Sequence, residues 1–120
     1  MRDESIEPST QCEATPSAPA TVPVRQNVRL TGRHSFSVTN PGAAAINVTV
    51  EANLADSASH SNSNSRPVNV PPRSTETGTM DTLLVAAYDQ PGDVMVTATT
   101  RISGDAFCSS SSGTRMRVTG

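Results

Sequence analysis

From Val22 onward, apolar and polar positions trade places with a period of two, the mark of strands with one buried face. The clearest case runs from Ala44 to Leu54. Ala44, Ile46, Val48, Val50, Ala52 and Leu54 are apolar, and Asn47, Thr49, Glu51 and Asn53 between them are polar. This predicts a long half-buried strand. Upstream, Val22, Val24, Val28 and Leu30 predict a strand over 22–31, and Gly32-Arg33 can turn the chain into another over 34–39. Asn40-Pro41-Gly42 is a turn signal.

Beyond Leu54 the chain is polar and repetitive from Asp56 to Ser65, which predicts an exposed loop. Val68 and Val70, with Pro67 on one side and Pro71-Pro72 on the other, predict a short edge strand. Thr75–Met80 and Thr82–Tyr88 read as one long bent strand or two. Leu83 to Ala87 is apolar on both faces, which predicts a central place in its sheet. Asp89 to Asp93 is the next turn, and Val94 to Ile102 alternates again. A loop is expected from Ser103 through the serine run 109–112, then a terminal strand carrying Met116 and Val118. No segment shows a 3.6-residue period. About seven strands with turn chemistry between them predict an all-β, antiparallel immunoglobulin-like β-sandwich.

Residues 1–21 show neither period. Pro8, Pro16 and Pro19 among six Ser and Thr predict an extended arm, so the chain divides into an arm over 1–21 and a sandwich over 22–120. Stretched, such an arm spans on the order of 60–70 Å. It can lie along a neighbouring subunit or add a strand to its edge.

Composition sharpens this picture. Val, Leu, Ile and Phe together fill only 21 of 120 positions, whereas Ser and Thr fill 31. So small an apolar supply would suggest disorder in a strongly charged chain, but the net charge is −2. A folded domain with a polar flank fits better. All nine basic residues are Arg, scattered along the chain, with one Tyr and two Phe for bases to stack on. Nucleic-acid binding is not expected from such a pattern. No stretch is apolar enough for a membrane span. Met1 to Ser5 opens with acids and lacks an apolar run, unlike a secretory signal. Either a signal has been removed, or the protein stays in the cytoplasm until it assembles.

At Phe36-Ser-Val-Thr-Asn-Pro-Gly, followed by Ala45-Ile-Asn-Val-Thr-Val-Glu-Ala-Asn-Leu54, the chain resembles bacterial immunoglobulin-like modules of the cell-adhesion-related CARDB type. Pro91-Gly92 and the strand Val94–Ala98 echo the same pattern, so the resemblance covers roughly residues 34–102. It implies a seven-stranded fold and a scaffolding or adhesive role, and brings no catalytic residue. Immunoglobulin-like domains also decorate tailed-phage particles, so the fold does not select the setting.

The candidate chemistry is sparse. Cys12 and Cys108 would, if joined, close a loop of roughly 97 residues and contribute about 4–5 kcal/mol in the chain-entropy description. Pairing within the chain, pairing between chains and two separate thiols all stay open. His34 reads as an exposed strand-end residue and His60 as a solvated loop residue. With the two cysteines they sit at no metal-ligand spacing. No serine lies in a Gly-x-Ser-x-Gly turn, and no enzyme is expected. Asp89 and Asp93 flank a turn that offers too few oxygens for calcium. Asn47-Val48-Thr49 is a glycosylation sequon inside the best strand. Arg115 and Arg117 point outward on the last strand and are candidate contacts for an acidic partner.

The expectation is therefore a non-enzymatic structural subunit without cofactor, fastened through its arm to protein subunits of a large assembly. A phage virion is the first setting, as a capsid decoration, cement or small tail protein, and the product is a homo-oligomer or a capsid or tail complex. The alternative is an exported surface or filament module with an adhesive or carbohydrate-binding role.

Overall fold

The computed structural model describes residues 7–120, and among them there is no helix. Eight strands follow in order: β1 (Ser9–Ser17), β2 (Thr21–Pro23), β3 (Val28–Asn40), β4 (Ile46–Asp56), β5 (Ser61–Val70), β6 (Ser74–Ala86), β7 (Gly92–Gly104) and β8 (Cys108–Thr119). They form two sheets. One has the order β1-β3-β6, the other β2-β8-β7-β4-β5. Every pairing is antiparallel except β2 with β8, which run parallel through Thr21–Pro23.

Alternation along the strands decides what lies between the sheets. In β3 the even positions Val28, Leu30, His34, Phe36, Val38 and Asn40 are buried, and in β4 Val48, Val50, Ala52 and Leu54 are. Each fully buried Val or Leu side chain stabilises the fold by roughly 1.5–3 kcal/mol. The core is in two parts. Leu30, Leu54, Leu84, Val96 and Met116 belong to one cluster, while Phe36, Val50, Val70, Met80 and Ile102 belong to the other.

A polar layer separates them. His34 lies wholly buried with Nδ1 3.0 Å from the Thr100 hydroxyl and Nε2 2.9 Å from that of Thr82. Thr100 donates its only proton to the Glu13 carbonyl at 2.7 Å. Its oxygen must therefore accept from Nδ1–H, which leaves Nε2 as the acceptor for Thr82. Burial pushes the His34 pKa below the ordinary histidine value, against smaller opposing contributions from the Thr99 backbone and Asp81. Gly32 makes room for this ring: a Cβ there would sit 2.6 Å from Thr82 Oγ1 and 2.9 Å from His34 Nε2.

Several sequence expectations change. Residues 9–17 are no free arm; they pair with β3 from Ser9↔Thr39 to Ser17↔Thr31 and bury Ala14 and Pro16. The rest of that proposed arm, residues 1–6, lies outside the described residues. Gly32-Arg33 does not turn the chain, because the buried glycine lies within a continuous 13-residue strand. The polar run expected as a loop is mostly β5, held by pairs such as Asn53↔Ser63 and Glu51↔Ser65. The serine run 109–112 likewise pairs with β7. The strand carrying Leu83 and Val85 lies at a sheet edge, not centrally, and both side chains face solvent. His34 is in the core because its strand continues past it on both sides.

The loops gather at the two ends. At one end, the β3–β4 link (41–45), the β5–β6 turn (71–73) and the β7–β8 turn (105–107) stand near the start of β1. Arg73, with φ 54°, donates its amide to the Gly42 carbonyl at 3.2 Å. At the other end, Arg25, with φ 63°, donates its amide to the Tyr88 carbonyl at 2.7 Å.

Candidate functional site

The outer face of the five-stranded sheet is built from the polar half of each alternating strand. Register places Glu51 opposite Arg101 and Ser65, and Asn53 opposite Thr99 and Ser63. Thr99 continues the row through a 2.9 Å hydroxyl contact with Ser111 on β8. Glu51, Asn53, Ser63, Asn64, Ser65, Thr99 and Arg101 line an open recess of about 600 Å³. By register Glu51, Asn53, Ser63, Ser65, Thr99 and Arg101 share the outer face, whereas Asn64 stands opposite the buried Ala52. This arrangement offers donors and acceptors to a polyhydroxylated ligand, and among its lining residues there is no aromatic ring for a sugar to stack on.

A second polar constellation lies where β4 ends. The Asp56 side chain is fully buried and accepts from Tyr88 Oη at 2.5 Å, from the Ala58 and His60 amides at 2.9 Å each, and sits 2.8 Å from His60 Nδ1. Burial pushes this carboxyl up, but the donors from Tyr88, His60 and Ala58 outweigh it and hold it below the ordinary carboxylate value. Burial and the Asp56 carboxylate together push the Tyr88 phenol far up. The His60 and Tyr88 rings meet edge to face, with centroids 5.5 Å apart. Asp56 is thus spent on tying the β4–β5 turn to the β6–β7 link. His60 is part of that tie rather than a free loop side chain.

The remaining candidates are scattered. Cys12 of β1 and Cys108 of β8 are joined to each other, with Cα atoms 6.1 Å apart, linking one sheet to the other. Arg115 and Arg117 do face outward from β8. Arg117 Nε lies 3.4 Å from Asp93, which stands across the ladder from it, and Arg115 stands opposite Met95. Asp89 lies in the β6–β7 link. Asn47 faces solvent and accepts from Asn69 Nδ2 at 2.9 Å. Among the described residues no group of three or more metal-ligating side chains converges. Among the described residues no helix is long and apolar enough to cross a membrane.

The recess was not visible in the sequence as a site. Its members come from residues 51–53, 63–65 and 99–101, and Ser63 to Ser65 belonged to an expected loop. Only the outward phase of Glu51 and Asn53 on β4 pointed toward it.

No family model and no curated protein matches this chain. Solved structures similar in shape include a β-glucosidase from Listeria innocua with gluconolactone (TM-score 0.43, 12% identity, covering 94% of this chain and 16% of that one). Another is the alkylpurine DNA glycosylase AlkC of Pseudomonas fluorescens bound to DNA containing an abasic site analog (TM-score 0.43, 11% identity, 95% and 31%). A third is a β-glucosidase from Erythrobacter marinus (TM-score 0.40, 21% identity, 92% and 16%). The chain spans less than a third of each of these three proteins, and similarity at this level carries no activity across to it.

Proposed function

We propose that this chain is a non-enzymatic, immunoglobulin-like module of an exported surface or filament structure, and that the polar recess on β4, β5 and β7 is its binding face for carbohydrate. The strand order supports the immunoglobulin-like reading. β3 and β6 stand where B and E stand in such a sandwich, and β4, β7 and β8 where C, F and G stand, with β5 beside β4 as the added C′ strand. The CARDB-type resemblance over residues 34–102 agrees with that order and with an adhesive role. The Cys12–Cys108 bridge supports an oxidising setting outside the cytoplasm.

One observation carries the binding role: six polar side chains from three adjacent strands, of which Thr99 is also tied to Ser111, face one recess in fixed register. The virion reading fastened the module through an arm over residues 1–21; of that span, residues 9–17 pair with β3 of the chain's own sheet. Calorimetric titration with neutral and acidic oligosaccharides tests the proposal. Binding is expected for the unaltered protein and at least about tenfold weaker for Arg101→Ala or Asn53→Ala, the loss of one to two hydrogen bonds. No heat with any oligosaccharide, or equal binding by both variants, overturns it.

A further inference from the structure

The two sheets end in β1, β6, β2 and β5, and the first three of these edges are blunted. β2 is three residues long and ends in a proline. The β1 edge leans on the other sheet: Thr100 donates to the Glu13 carbonyl and Thr10 to the Phe107 carbonyl, each at 2.7 Å, and Cys12 is bridged to Cys108. β6 carries Glu76 and Asp81, and its Leu83 carbonyl accepts the Asn62 side-chain amide at 2.7 Å. Short length, cover and charge are the usual means of keeping an edge from pairing. From Ser61 to Ser65, β5 has none of them: the run is uncharged and exposed on both faces.

The ladder with β4 fixes which backbone groups of β5 are free. One step beyond the Ala55↔Ser61 pair, Asp56 donates its amide to the His60 carbonyl at 2.9 Å. Hydrogen-bonded pairs of an antiparallel ladder recur at every second residue. Asn62, Asn64 and Arg66 therefore bond to β4, and the N–H and C=O groups of Ser61, Ser63 and Ser65 point away from it. Pro67 falls in the same outward phase, where its missing N–H costs no ladder bond and closes the free stretch at one end. Ser59, at φ 75° in the β4–β5 turn, closes it at the other. Among the described residues one group reaches this edge, the Asn62 Oδ1 that accepts the Ser63 amide at 3.0 Å.

The free stretch reads Ser61-Asn62-Ser63-Asn64-Ser65, the same in both directions about Ser63. An antiparallel contact between two identical strands sets residues equally spaced on either side of its centre against each other, so this symmetry suits a second copy, whereas a foreign peptide has no need of it. We propose that β5 pairs with β5 of a second copy about a two-fold axis through Ser63. Ser61 then bonds to the partner's Ser65 and Ser63 to the partner's Ser63, the Ser63 amide exchanging its local bond with Asn62 for one across the axis. On the inner face Asn62 stands opposite the partner's Asn64, amide against amide. The contact is isologous and closes as a dimer. It joins the two five-stranded sheets into one continuous sheet with both polar recesses on the same face. The row Ser111, Thr99, Asn53 and Ser63 runs on into the partner's Ser63, so each copy extends the other's recess. The pairing stands on the strand edge alone and holds whatever the recess binds.

An edge this short buries little surface, so association is expected at roughly 0.01–1 mM, and sedimentation equilibrium of the full chain across that range tests it. The weight-average mass is expected to climb from 12.5 kDa toward twice that value. Ser63→Pro removes the central amide at a position where the ladder with β4 needs none, and should stay at 12.5 kDa throughout, its fold checked by circular dichroism. Mild oxidation tests the register separately. Across the axis the Cα atoms of the two Ser63 residues would lie about 5.5 Å apart, within disulfide reach. Ser63→Cys should therefore cross-link into dimers, and Ser65→Cys, which faces the partner's Ser61, should not. If Ser63→Pro fails to fold, the cysteine pair decides alone. A monomer mass for the unaltered chain at every concentration, undiminished association of folded Ser63→Pro, or equal cross-linking at 63 and 65 overturns the proposal. So does a monomer whose β5 amide resonances shift with an unrelated extended peptide, Thr-Val-Thr-Val-Thr, which assigns the edge to a foreign strand instead.

Discussion

Removing the bridge between the first and last long strands should cost about as much as the most damaging single truncation in the core. Cys12 and Cys108 are 96 positions apart, so the bridge closes nearly the whole described chain into one loop. In the chain-entropy description, a closed loop of about 97 residues removes roughly 15.7 cal/mol/K from the unfolded ensemble, or about 4.7 kcal/mol at 25 °C. A domain of this size unfolds with an entropy of roughly 250 cal/mol/K, so the same figure corresponds to a melting temperature lower by about 19 °C. The perturbation is Cys12→Ser with Cys108→Ser, compared with the unaltered protein in the presence and absence of reductant. The assay is urea unfolding followed by circular dichroism. A loss of about 4–5 kcal/mol is expected in the double variant, and reductant should shift the unaltered protein alone. Native β1 keeps its ladder with β3 in either case, so the spectrum before unfolding should not change. A loss below about 1 kcal/mol would refute the reasoning, because it would mean that the bridge constrains nothing the unfolded chain was free to do.

Four further outcomes follow from the packing. His34 has its pKa below the unfolded value of 6.5, so the folded state binds fewer protons. Stability is then fully present above that value and declines as pH falls below it; urea midpoints between pH 8 and 5 should show the decline, and His34→Gln should flatten it. Tyr88→Phe leaves the buried Asp56 carboxylate without its hydroxyl donor and should cost about 1–3 kcal/mol by chemical unfolding. Gly32→Ala forces a Cβ against Thr82 and His34 and should cost about 1–3 kcal/mol, read from the melting temperature. Arg66 lies 5.3 Å from the centre of the Phe36 ring; Arg66→Ala should cost about 0.5–1 kcal/mol, and Arg66→Lys should recover part of it.

The fold was legible wherever one strand face is buried and the other wet. Ala44 to Leu54 and Val94 to Ile102 announced β4 and β7 because their partners cover one side only. β5 was hidden because Ser61 to Pro67 is exposed on both faces. No apolar phase exists there, and only the ladder with β4 makes it a strand. Leu83 and Val85 misled in the opposite direction, since an apolar side chain at a sheet edge costs little and leaves the same trace as a buried one. Gly32 read as a turn, when its missing side chain serves the His34 ring two positions on. The pairing of Cys12 with Cys108, and the meeting of residues 51, 65 and 101 in one recess, depend on contacts that local pattern does not encode.

The bridge also fixes how the molecule would carry tension. Pull on the two ends of the described chain, and force enters through residues 7–12, crosses the sulfurs from Cys12 to Cys108, and leaves along β8. Residues 13–107 hang from that path as a loop that never bears the load. Their contour, on the order of 300 Å if stretched, is not released until the sulfur bond is reduced. An oxidised module therefore behaves as a nearly inextensible link, and its reduced form as a long, yielding one.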